Sequence, residues 1–151
     1  MSKKISTAQL LSETTFELLG KCQKKEDLLA GRFDLNQAEF RFLRFCAEGE
    51  VLKNSELAKR LNLSPSRLTR IIDGLVQKEY VIREMDPGNR RNLRVSLSKP
   101  GAKLVKELNK EFIDIHNEIL SSLPKGIGEE IVEKIRTLIG ALDIWFAKNK
   151  F

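Results

Sequence analysis

The stretch 54–98 constrains this chain most, because it holds a helix that can bury one face only against elements lying immediately beside it in sequence. After Ser64 and Pro65, the apolar residues Leu68, Ile71, Ile72, Leu75 and Val76 recur on a 3.6-residue period. Ser64 suits the N-cap and Pro65 the first helical position, where an amide hydrogen would have no intrahelical partner. At 100° per residue Ser66, Arg70, Asp73 and Gln77 fall opposite that stripe, flanked by Arg67 and Thr69. Upstream, Asn54 is placed to cap a shorter helix that turns Leu57, Ala58 and Leu61 inward. Asn62, Leu63 and Ser64 leave room only for a sharp helix–helix turn.

Downstream, 80–85 and 93–98 read as strands. In the second, Leu93, Val95 and Leu97 alternate with Arg94, Ser96 and Ser98. The intervening 86–92 holds Pro87, Gly88, Asn89 and Asn92 and reads as a turn, with Arg90 and Arg91 making its tip cationic. Two helices in a tight turn followed by a hairpin form a winged helix-turn-helix, a device that sets the first turns of its second helix into a major groove. Ser64, Ser66, Arg67, Thr69, Arg70 and Asp73 are the candidate groove residues on the helix. Arg90, Arg91 and Arg94 are those of the wing, whose basic tip can reach a minor groove and its negative potential.

Charge placement agrees. Residues 53–99 carry 11 Lys/Arg against 5 Asp/Glu, and the rest of the chain carries 16 of each, so the whole excess of +6 lies on this segment. A polyanion partner, double-stranded DNA, is the direct reading. The 41% apolar and 32% charged content is that of a folded, water-soluble chain. No apolar run is long enough to cross a membrane and no signal-type N-terminal core is present, so no membrane partner and a cytoplasmic location are expected. Cys22 and Cys46 are too few for a disulfide framework.

The flanks read as helices. The first is expected over 6–30, with Leu11, Leu18, Leu19, Cys22 and Leu29 on its apolar side and Gly31 as its stop. Asn36 and Glu39 form a capping-box pattern for a second helix reaching 48, with Leu35 able to staple onto Phe40 from outside the cap. Phe40, Phe42, Leu43, Phe45, Cys46 and Ala47 make that helix apolar on more than one side, as in a helix buried between neighbours. Beyond the wing, Ser98 is a candidate cap for a long helix with the stripe Leu104, Val105, Leu108, Phe112, Ile115 and Ile119. Pro124, Gly126 and Gly128 interrupt it. A last helix carries Ile131, Ile135, Leu138, Leu142 and Trp145 at steps of four, three, four and three, a heptad-like seam. The winged segment is too small to cover all these faces, so the flanking helices are expected to pair with those of a second chain. The fold class is therefore mainly α with a small β-hairpin wing. Residues 35–98 form the winged DNA-binding domain, and 1–34 with 99–151 form a helical dimerisation region. A two-fold pair would set its two reading helices about 34 Å apart, one DNA turn.

These residues resemble the MarR family of transcriptional regulators. The likeness lies in 35–40 at the second helix, in 57–70 at the helix-turn-helix, and in 86–91 with 95–101 at the wing and the start of the following helix. The family's wing pattern carries an acidic residue where Asn89 stands, which leaves Asp86 as the carboxylate able to pair with a wing arginine. The resemblance implies a homodimeric repressor on a pseudo-palindromic operator, with Arg91 entering the minor groove. It also implies a small-ligand pocket where the first, second and fifth helices meet the winged domain. Phe40, Arg41 and Arg44 are the candidate ligand residues, the two arginines suiting a small anionic aromatic effector.

Two alternatives stand beside this reading. Cys22 on the first helix, among Lys21, Lys24 and Lys25, is a candidate redox sensor, although the only tyrosine is Tyr80 and a buried inert thiol fits as well. A winged helix can also serve as a protein-interaction module, but five arginines on one face have no use in an apolar interface. His116 is the single histidine and no Cys/His spacing suits zinc, so no metal and no cofactor are expected. The absence of a Gly-rich phosphate loop and of a nucleophile elbow argues against an enzyme.

Overall fold

The computed structural model describes residues 5–149, except the side chains of Arg90 and Arg91. Element order is α1 (Thr7–Arg32), α2 (Gln37–Arg44), β1 (Val51–Lys53), α3 (Asn54–Leu61), α4 (Pro65–Gln77), β2 (Val81–Asp86), β3 (Asn89–Leu97), α5 (Lys99–Ser121) and α6 (Ile127–Lys148). The fold is mainly α with one antiparallel sheet of order β1-β3-β2.

The chain forms two compact units, residues 1–110 and 111–151. In the first, α4 buries Leu68, Ile71, Ile72 and Leu75 against α2 and α3. The expected stripe is thus the inner face of the helix. Phe40, Phe42, Leu43 and Leu57 complete this core from α2 and α3, and Leu52, Val81 and Val95 from the sheet. The first half of α5 adds Ala102, Leu104, Val105 and Leu108. Each large aliphatic side chain withdrawn from water contributes roughly 1.5–3 kcal/mol.

Local capping follows the sequence. Ser64 Oγ accepts the Arg67 amide at 3.4 Å. Asn36 Oδ1 accepts the Glu39 amide at 2.9 Å while Glu39 Oε2 accepts the Asn36 amide at 3.0 Å, the reciprocal capping box. Leu35 and Phe40 are both buried beside it. Ser98 Oγ accepts the Gly101 amide at 3.0 Å.

Several boundaries differ from expectation. Gly31 does not stop α1, which runs on to Arg32; the left-handed residue that ends this segment is Asp34, at φ 52°. The second helix ends at Arg44 rather than 48, because the Phe45 and Cys46 amides turn back to Phe42 and Leu43 in three-residue closures. The released chain forms β1, a third strand that the sequence reading lacked, pairing Leu52 with Val95. Asn54 is not a cap. Lys53 holds the N-cap position of α3 without a side-chain bond, and Asn54 Oδ1 is buried without a partner.

The wing also differs. Its turn is only Pro87 and Gly88, not 86–92, because Asp86 Oδ1 accepts the Gly88 amide at 3.0 Å and Pro87 presets the first corner. Residues 90–92 belong to β3. The register jumps from Met85 opposite Leu93 to Asp86 opposite Asn89, so 90–92 bulge out of the ladder.

In the second unit, the end of α5 turns through Pro124 and Gly126 into α6. Gly126 caps α6 at φ 88°, a conformation that suits glycine. Along α6 the apolar residues Val132, Ile139, Leu142, Trp145 and Phe146 are exposed, Phe146 by 60%.

Gly101 is the glycine whose lack of a side chain matters most to the winged core. A Cβ there would lie 1.9 Å from the Tyr80 carbonyl oxygen, which also accepts the Ser98 amide. Gly101→Ala forces α5 away from the start of β2, and overpacking of this kind costs about 1–3 kcal/mol. The expected outcome is a lower urea midpoint for the alanine variant, measured by circular dichroism against wild type.

Candidate nucleic-acid interface

The burial of its apolar stripe turns the opposite face of α4 to water. Ser66, Arg67, Thr69, Arg70 and Asp73 are all exposed, as is the cap residue Ser64. The short side chains are held against the backbone of the first turn. Thr69 Oγ1 donates to the Pro65 carbonyl at 2.9 Å, and the hydroxyls of Ser64 and Ser66 lie 3.3 Å apart. The Ser64 cap and the first-turn amides make this end of the helix the positive end of its dipole, favourable to anions. Asp73, farther along the same face, is ion-paired to Arg83 of β2, so the wing and α4 are joined through that carboxylate. The pairing partner, Arg83, was not among the residues the sequence singled out. Its signal was only the wing's excess of arginine.

In the wing, Asp86 is 4% exposed and carries two donors on Oδ1, the Gly88 amide at 3.0 Å and Arg94 Nη2 at 2.8 Å. The Gly88 amide foremost, then Arg94 against an opposing desolvation, holds the Asp86 carboxyl below the usual aspartate range. Arg94 therefore sits at the root of the wing, tied to its turn, and pairs across the sheet with Lys53 and Glu84. The side chains of Arg90 and Arg91 lie outside the described residues; their backbone runs in the bulged start of β3.

The candidate ligand residues come together on the other side of α2. Glu26, Phe40, Arg41, Arg44, Arg60 and Leu61 line an open cavity of about 460 Å3 between α1, α2 and α3. Arg41 Nη2 pairs with Glu26 at 2.8 Å, and Arg60 faces Glu50 at 3.6 Å. Phe40 itself is fully buried, so it forms the floor of the cavity rather than an open contact.

The two cysteines sit in different settings. Cys46 is buried, and burial with the nearby Glu50 pushes its thiol up to about 12, so it stays protonated and unreactive. Cys22 is half-buried on α1. No cluster of three or more His, Cys, Asp or Glu side chains suited to a metal occurs among the described residues. No described helix is long and apolar enough to cross a membrane.

A helix anchored by one apolar face, presenting a short polar and basic face beside a two-stranded wing, defines a winged helix-turn-helix protein. Comparison with known proteins finds a family that the winged segment is similar to. Residues 35–93 match the model of the MarR family. An uncharacterized HTH-type transcriptional regulator, YpoP of Bacillus subtilis, is 32% identical over 78 residues, 52% of this chain and 55% of the relative. The chain thus spans about half the length of that relative. Among solved structures, FabT of Streptococcus pneumoniae in complex with DNA superposes with a TM-score of 0.75 at 19% identity, over 94% of this chain and 99% of that one. The S. aureus MepR–DNA complex gives 0.71 at 19% identity, over 87% and 97%. At such identities these two attest the fold. Over residues 35–93 the chain is therefore similar to the MarR family, and the curated relatives it matches are named as HTH-type transcriptional regulators.

The Asp86 turn supplies a pH test. Its folded-state pKa is lowered, so its contribution to stability is full above the ordinary aspartate value of about 4 and is lost as pH falls through the lowered value. Asp86→Asn lacks the ion pair at every pH. Thermal melts from roughly pH 6 to pH 2 should show wild type more stable at the upper end, with the gap to the variant closing toward the acid end. A gap independent of pH contradicts the assignment.

Proposed function

We propose that this chain is a homodimeric, sequence-specific regulator that binds double-stranded DNA at a pseudo-palindromic operator, acts as a repressor, and is released by a small anionic aromatic effector. One observation carries the DNA reading. The exposed face of α4 gathers Ser66, Arg67, Thr69 and Arg70 in its first two turns, while its opposite face is locked in the core. Ser64 and the α4 amides hold the backbone phosphates; Arg70, whose planar fork can meet guanine O6 and N7 together, reads bases. Arg91 reads the minor groove beside the wing, with Arg90 in support, and Arg94 and Asp73 hold wing and helix in register. Arg41 and Arg44, with Arg60, supply the cations for the effector in the α1–α2–α3 cavity, and Phe40 its aromatic floor. The family, and the neighbours FabT and MepR solved with DNA, support this reading.

The experiment selects bound duplexes from a random pool, then compares variants on the selected and a scrambled duplex at one salt concentration. Arg70→Ala should cost about 1–3 kcal/mol on the selected duplex, relax one position of each half-site, and change the scrambled one far less. Arg91→Ala should alter the preference only for flanking A·T content. Equal losses on both duplexes for Arg70→Ala would make it a phosphate contact. A protein that selects no sequence would leave the DNA reading without support.

The dimer reading rests on apolar surface that a lone chain leaves in water. On α6, Val132, Ile139, Leu142 and Trp145 are exposed, and on α1 so are Leu11, Leu18, Leu19 and Phe16, the last by 79%. Large apolar side chains left exposed along a helix in this way mark an interface. Leu138→Lys with Leu142→Lys should convert the dimer to monomer in light scattering at low micromolar concentration, since unpartnered charge is costly to bury. A monomeric wild type would refute the pairing.

A further inference from the structure

The end of α4 remote from its reading face is tied down by a buried charge that the winged-helix architecture alone does not require. Glu39, in the first turn of α2, is 3% exposed. Its Oε2 accepts the Asn36 amide at 3.0 Å and the Lys78 ammonium at 2.9 Å. Lys78 is the C-cap residue of α4, and its Nζ also donates to the Asp34 carbonyl at 2.6 Å. One point therefore joins the end of α1, the start of α2 and the end of α4. Asp34 and Glu79, on either side of it, both adopt the left-handed conformation, at φ 52° and 64°, so each chain segment turns sharply at the knot.

Gly74 sets how near α4 comes. A Cβ there would lie 2.7 Å from Glu39 Oε1. Glycine inside a helix lowers its stability relative to alanine, and here its absence of a side chain is what lets the α4 backbone close on the carboxylate. The ammonium also lies where the helix dipole favours a cation.

Building on the DNA reading above, we propose that Glu39 and Lys78 are positioning residues for base recognition. Their ion pair clamps the C-terminal end of α4 to the α1–α2 junction and so fixes the angle at which Arg67 and Arg70 meet the groove. Arg70 lies roughly 12 Å along the helix from Lys78 at 1.5 Å per residue, so a small tilt at the clamp displaces the reading side chains while leaving general phosphate attraction intact. Glu39 immediately precedes Phe40 and Arg41 of the α1–α2–α3 cavity. A ligand that shifts α2 acts on α4 through this same carboxylate.

The test uses full-length Lys78→Met, which keeps the aliphatic stem, Glu39→Gln, which keeps a capping-box partner without the charge, their double variant, and Gly74→Ala, which changes no charge. Affinities for the selected and scrambled duplexes are measured at several salt concentrations, with the dimer and its helical signal checked. Each single variant should lower the ratio of selected to scrambled affinity by about tenfold, with scrambled binding and the salt slope near those of wild type. The double variant should lose little more than either single one, because one interaction is removed. If Lys78→Met instead weakens both duplexes equally and reduces the salt slope by about one, Lys78 is a phosphate contact and the proposal fails. Unchanged ratios in Gly74→Ala and Glu39→Gln also overturn it. Should the charge variants fold poorly, Gly74→Ala alone decides. A wild type without sequence preference would instead count against the DNA reading itself.

Discussion

The rest of the first unit depends on the burial of one helical stripe. Leu68, Ile71, Ile72 and Leu75 of α4 lie against α2 and α3 with almost no water contact. Burial of this kind is non-directional and scales with apolar area, yet on a helix it fixes rotation about the axis, because the 3.6-residue period puts the apolar residues on one side. Ser66, Arg67, Thr69 and Arg70 are exposed because that rotation leaves them nowhere else to go. A polar residue in place of Ile72 would put both the core and the reading face at risk.

Apolar burial fixes rotation but not tilt or translation. Those are set by directional contacts at two points along α4. Asp73 pairs with Arg83 and joins the helix to the wing, while Lys78 and Glu39 join its far end to α2. The two pairs differ in setting. The Asp73 pair is largely exposed, and such pairs are worth little because water and salt screen them. Glu39 is buried, and removing the partner of a buried charge is far more damaging than the pair's net worth suggests. The wing repeats the arrangement on a smaller scale, with Asp86 holding its own turn through Gly88 and its root through Arg94.

The second unit and α1 show the opposite balance. Their helices are long, and their apolar residues are mostly in water; among the residues of α1, only Leu29 and Ala30 are buried. A single chain gains little from such helices beyond backbone hydrogen bonding, since helical stability in proteins comes chiefly from packing an apolar face. That is the physical basis for proposing a second copy as their partner.

What the sequence determined by itself is what depends on near neighbours. The α4 stripe, the caps at Ser64, Asn36 and Ser98, the tight turn before α4 and the placement of basic charge were legible, because periodicity and capping act over three or four residues. The tertiary structure decided what depends on distant ones. The strand β1 is three residues long and exists only because β3 offers it an edge. The wing turn shrank to Pro87 and Gly88 because the Asp86 side chain closed it, which moved Arg90 and Arg91 from a loop into a strand. Asn54, a cap by residue type, was displaced from that role when pairing with β3 placed Lys53 at the helix start. Glu39 was readable as half of a capping box, but its bond to Lys78 spans 39 residues, and no local pattern carries that distance. Sequence alone could name the polar face of α4 proposed to read DNA. Only the packing of α2 and β2 around α4 determined how firmly that face is aimed, because long-range ion pairs form after apolar burial has brought their partners together.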